Sequence, residues 1–132
     1  MERRFTDELA RAKEFLDAAQ QMLEKSLKTA ANRLYFAAER AVVAYLLVME
    51  EKVSKRHGEI WNAARTVDIK WHALLQLLYD LRLQADYGAK STIKPLTKEV
   101  IIHYIPELSS LLVDIENKIA EKDGELKKDT ER

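Results

Sequence analysis

Two places in the chain carry side chains suited to phosphate or acid–base chemistry. Arg82 is followed by Asp86 at the fourth position and Tyr87 at the fifth. A guanidinium offers planar, paired donors that match phosphate oxygens, so Arg82 is a candidate anion site. It also lies in step with Leu75 and Leu78 on an apolar stripe, where an Arg takes a carboxylate or a phosphate as partner. Asp86, one helical turn on, is the favoured partner, and a phosphate in a cleft between subunits is the other. Tyr87 is rotated about 140° from Arg82 on an ideal helix. The two meet only where the helix ends, or across a dimer.

The second place is the basic run Lys52, Lys55, Arg56 and His57. Read structurally, it closes a long helix, with positive charge at the negative end of the dipole and Gly58 as the stop. Read functionally, Lys55, Arg56 and His57 offer a phosphate site for a nucleotide or RNA. The structural reading is preferred, because 22 Lys and Arg balance 22 Asp and Glu. A chain of zero net charge has no general cationic coat for nucleic acid.

Other chemistries are narrowed quickly. There is no cysteine, hence no disulfide, thiolate metal site or cysteine nucleophile. His57, His72 and His103 share no ligand spacing, and Glu99 with His103 is a single pair, so no metal is expected. No glycine-rich phosphate loop or nucleophile elbow is present, and no cofactor is expected. Trp61, Trp71, Tyr35 and Tyr45 sit in apolar contexts and read as core or dimer-interface anchors. The N-terminal residues lack an apolar signal core, and the run Ala41 to Met49 is far short of the ~18–20 residues that span a bilayer. A cytoplasmic protein with no membrane contact is the expectation.

The elements that must position these residues are helical. Three glycines and two prolines in 132 residues leave little punctuation for strands, and 47% hydrophobic residues supply one core. Phe5, Leu9, Ala12, Leu16, Ala19 and Leu23 make the stripe of a first helix, with Thr6 as its N-cap. From Ala30 to Met49 the only charges are Arg33, Glu39 and Arg40. Such a helix is either central to the domain or buries one face in the fold and another in a partner subunit. Glu59 to Ala64 makes a turn or two, and a further helix runs from about Lys70 to Asp86. Gly88 and Ser91 to Pro95 form a loop, Thr97 caps the last helix, and Pro106 kinks it. The expectation is an all-α, up-and-down four-helix bundle with one short additional helix, over residues 1–120. Residues 121–132 are expected to be a charged, frayed tail.

Three blocks carry a family resemblance. Ala31-Asn32-Arg33-Leu34-Tyr35-Phe36-Ala37-Ala38-Glu39-Arg40-Ala41 resembles the aromatic, Ala-rich stretch that opens the central helix of small prokaryotic and archaeal HEPN proteins. Lys55-Arg56-His57-Gly58 is similar to that family's basic loop, and Leu81-Arg82-Leu83-Gln84-Ala85-Asp86-Tyr87 to its L-R-x-x-A-D-Y segment. The resemblance implies a helical bundle that dimerises and is often paired with a minimal nucleotidyltransferase as a toxin–antitoxin or related regulatory pair. It also implies, in several branches, a metal-independent ribonuclease built on an Arg and a His a few residues further on, brought together across the dimer.

Arg82 matches that Arg, but Leu83 replaces the usual polar residue and Tyr87 stands where the His belongs. A histidine near its ordinary pKa of about 6.5 moves protons at neutral pH, whereas a tyrosine near about 10 is poorly placed. The leading expectation is therefore a non-catalytic, or at most weakly catalytic, homodimer that binds a nucleotide or a partner, a nucleotidyltransferase in particular. The alternatives are a ribonuclease toxin using Arg82 with Tyr87 or a distant His such as His57, and a structural helical adaptor with no small ligand.

Overall fold

A computed structural model describes residues 2–49, 52–88, 90 and 94–131, with side chains described from residue 4 to residue 122. Among them are five helices and no strand: α1 Glu2–Met22, α2 Leu27–Met49, α3 His57–Val67, α4 Ile69–Tyr87 and α5 Lys98–Glu131. The all-α bundle expected from the periodicity is the fold, with α3 as the short additional helix.

Helix α2 is the axis of the molecule. Packed residues of α1, α3, α4 and α5 all touch it. Its alanines 30, 31, 37, 38, 41 and 44 are buried, as are Leu34, Tyr35, Val42, Val43 and Leu46. Small side chains let the neighbouring helices come close, while the larger ones each contribute about 1.5–3 kcal/mol by leaving water. All sides of α2 are thus covered by its own chain. The first of the two alternatives for this helix, a central place in the domain, accounts for its apolar character.

Local signals set the helix ends. Ser26 Oγ accepts from the Thr29 amide at 3.2 Å at the start of α2, and Thr97 Oγ1 accepts from the Val100 amide at 3.2 Å at the start of α5. Asp68 closes α3 and opens α4: its amide donates to the Ala64 carbonyl at 2.9 Å, and its Oδ1 accepts from the Lys70 amide at 2.9 Å. Gly88, at φ 66° and ψ 23°, ends α4 in the left-handed conformation that favours glycine. Gln84 then gathers the following segment, donating to the Lys94 carbonyl and accepting from the Leu96 amide, both at 2.8 Å. The expected loop at Ser91 to Pro95 has its first three residues outside the described ones.

Three expectations about boundaries change. Helix α1 begins at Glu2, so Thr6 lies inside it rather than at its N-cap. The basic run does not close α2. Helix α2 ends at Met49, Arg56 is the N-cap of α3, and Gly58 lies in the first turn of α3 rather than stopping a helix. The Glu59–Ala64 turn is part of an 11-residue helix. The backbone of α5 runs to Glu131. Pro106 lies inside α5 on an exposed side, so the Ile102 carbonyl that loses its helical donor faces water.

Candidate functional site

The polar centre of the fold is Glu39, 2% exposed and the one buried charged residue among those described. Its surroundings explain how a carboxylate is kept there. Arg40 Nη2 donates to Oε1 at 2.9 Å, and the Tyr35 hydroxyl, one turn earlier on α2, donates to Oε2. His57 Nδ1 reaches the same Oε2 at 2.5 Å from the first residue of α3. Arg40 also bridges to Glu8 of α1 at 3.1 Å. A buried ion is tolerated only when paired and hydrogen-bonded, and Glu39 is both.

Tyr35 is the junction between α2 and α3. Its oxygen accepts from Trp61 Nε1 at 3.2 Å and lies 3.1 Å from His57 Nδ1. Burial, reinforced by the hydrogen bond to Glu39 and that group's negative charge, pushes this hydroxyl far above the ordinary tyrosine range. It stays protonated and acts as a donor to the carboxylate.

A cluster of rings surrounds this network. Tyr79 of α4 packs its ring 5.2 Å from Tyr35, 5.3 Å from His57 and 4.9 Å from Trp61, centroid to centroid. Arg82, one turn further along α4, lies against the same set: its Cζ is 4.9 Å from the Phe36 ring centroid, 5.6 Å from Tyr79 and 5.9 Å from Tyr35. A cation–π contact of this kind is worth about 0.5–2 kcal/mol, less where water reaches it. Arg82 Nε donates to Asp86 at 3.1 Å, and Asn32 Nδ2 donates to the same oxygen at 3.0 Å. The two terminal nitrogens of Arg82 find no acceptor among the described residues. The cluster therefore carries a rigid cation and a half-exposed imidazole on shared aromatic walls.

The candidate residues separate clearly in space. Arg82 and His57, distant in sequence, come together on Tyr35 and Tyr79. Arg82 makes the expected intrahelical pair with Asp86. Lys55 and Arg56 stay exposed, with Arg56 3.9 Å from the less exposed Glu59. Tyr87 is 71% exposed at the end of α4 and takes no part in the cluster among the described residues. Tyr35, Glu39, Arg40 and Tyr79 were not among the candidates. Glu39 had a signal: a lone acidic residue in an apolar helix needs a cation, and a histidine waits in the next element.

Other features lie elsewhere. An open groove of about 590 Å³ between α4 and α5 is floored by Trp71, Leu74, Leu77 and Leu111, and none of the cluster lines it. No group of three or more metal-ligating side chains occurs among the described residues. No described helix is long and apolar enough to cross a membrane. A model of the HEPN domain matches residues 6–121. No curated protein and no solved structure matches the chain.

Proposed function

This chain belongs to the HEPN domain family, and on that premise we propose that it is a dimeric module binding a nucleotide or RNA phosphate at Arg82. In this reading it works with a minimal nucleotidyltransferase in a toxin–antitoxin or related regulatory pair. The observation that carries it is the state of Arg82: its Cζ lies 4.9 to 5.9 Å from the Phe36, Tyr79 and Tyr35 ring centroids, its Nε is tied to Asp86, and its outer nitrogens meet no acceptor among the described residues. A guanidinium prepared in this way binds a phosphate with little further loss of freedom.

The experiment is a thermal-shift and calorimetric titration with nucleoside mono-, di- and triphosphates, alongside light scattering for the oligomeric state. A ligand selective for the folded chain raises its melting temperature. No shift with any nucleotide, from a monodisperse monomer, overturns the proposal and leaves the helical adaptor. The partner is tested by asking whether an adjacent gene encodes a nucleotidyltransferase and whether the two proteins co-purify.

A second reading is favoured by one observation. The ribonuclease alternative lacked a histidine near Arg82 in sequence, and the fold brings His57 to the same rings. A ribonuclease using Arg82 and His57 is thus supported by geometry that the local motif does not contain.

A further inference from the structure

We infer that the groove between α4 and α5 is a docking site for a basic amphipathic helix of another protein. The groove stands apart from Arg82 and its rings, so the inference does not rest on phosphate binding there.

The groove arises from the packing order. Helices α4 and α5 each pack on α2 but scarcely on each other, which leaves a channel between them. Its walls run from Asp68 to Leu77 and from Tyr104 to Asp114. At about 1.5 Å per residue that is about 13–15 Å, or about two and a half turns of a helix. Trp71 and Leu111 close the floor, and Leu74 and Leu77 are half-buried along it. Ala73 and Ser110 are small and exposed, so a backbone can come close to them. A second hollow shares Ser110 and Asp114 and adds Val113, which is 58% exposed. An apolar channel of this length between two helices suits the apolar face of a third, presented at i, i+3, i+4 and i+7.

Charge selects the occupant. Asp114 follows Glu107 by seven residues, so the two share one face of α5, about 10 Å apart along its axis. Neither meets a cation among the described residues. Asp68 adds a third carboxylate, against Lys70 on the wall and Lys94 above the Tyr104 ring at 5.4 Å. An incoming helix with Lys or Arg at i and i+7, beside its apolar stripe, answers Glu107 and Asp114. The same carboxylates repel anionic lipid and nucleic-acid phosphate. They also oppose a second copy seated groove to groove, since a two-fold contact sets like charges against one another.

The test uses the full chain and a fluorescein-labelled synthetic peptide of about 15 residues, with leucines on one face and lysines at i and i+7. Fluorescence anisotropy compares it with two controls, one with lysines changed to glutamate and one with leucines changed to serine. Saturable binding of the first peptide alone is expected, weakening as salt rises. Two variants are each expected to weaken it at least about tenfold. Ala73→Phe fills the channel, and the double variant Glu107→Lys with Asp114→Lys reverses its charge. All three positions lie outside the buried core, and circular dichroism checks the folding of both variants. Equal binding of either control peptide overturns the inference, as does binding that neither variant weakens, or no binding at all. Light scattering of the chain alone addresses the other occupant. A dimer that Ala73→Phe dissociates makes that occupant a second copy and overturns the inference too.

Discussion

Glu39 and His57, eighteen residues apart on two different helices, meet at 2.5 Å through one carboxylate oxygen. That oxygen also takes the Tyr35 hydroxyl, while its twin takes Arg40. One buried anion thus organises three donors from α2 and α3, and the predictions below follow from how it and its neighbours are held.

Removing the carboxylate strands its donors. Glu39→Ala is expected to destabilise the fold by about 3 kcal/mol, since truncating one member of a buried pair leaves its partners unsatisfied. Arg40 and His57 are partly exposed and recover some hydration, which keeps the loss at the lower end of that range. Urea unfolding monitored by circular dichroism measures it. A loss below 1 kcal/mol would show that Glu39 contributes nothing special.

Tyr35 gives a pH signature. Its native hydroxyl is held protonated well above the ordinary tyrosine range, so the unfolded chain loses this proton first. The associated stability is fully present below about pH 10 and declines as pH rises beyond it. Tyr35→Phe is expected to lose about 1–3 kcal/mol at neutral pH, because Glu39 and Trp61 each lose a partner. Its stability should also fall less steeply than the wild type's above pH 10. Parallel alkaline denaturation curves for the two proteins would contradict the assignment.

Arg82 separates charge from shape. Arg82→Ala is expected to weaken phosphate-ligand binding by at least about tenfold, a loss of about 1.4 kcal/mol. Arg82→Lys should recover little of it, because an ammonium neither stacks flat on Phe36 and Tyr79 nor offers paired donors. Isothermal titration with the best nucleotide decides the matter, and full rescue by lysine would reduce the site to a point charge.

Gly58 and Gly88 should behave oppositely. Gly88 has φ 66° and open space where a side chain would go, so Gly88→Ala costs only backbone strain, about 1 kcal/mol. Gly58 lies in a helical turn with equally open space, and Gly58→Ala is expected to stabilise by about 0.5–1 kcal/mol. Thermal melts of both variants check the sign of each.

Periodicity carried most of the fold. The helix expected from about Lys70 to Asp86 is α4, with Trp71, Leu75, Leu78, Leu81 and Ala85 buried, because a 3.6-residue repeat and a single core leave few other solutions. Boundaries were less legible where two local signals competed: Gly58 reads as a stop, yet it follows an N-cap and starts a helix. Half of the candidate site was visible as Arg82 with Asp86. The other half was not, because Glu39 and His57 become neighbours only when α3 folds back along α2, and no spacing along the chain encodes that return.

Helix α3 buries only Ile60 and Ala64 within its own span. Apolar contact of that size tolerates sliding, since it depends on area and hardly on angle. The bonds from His57 and Trp61 to Glu39 and Tyr35 do not tolerate it, because each weakens steeply once donor and acceptor fall out of line. Helix α3 is therefore indexed like a key by its teeth: it seats in one register or lets go, and the imidazole at its tip inherits that precision.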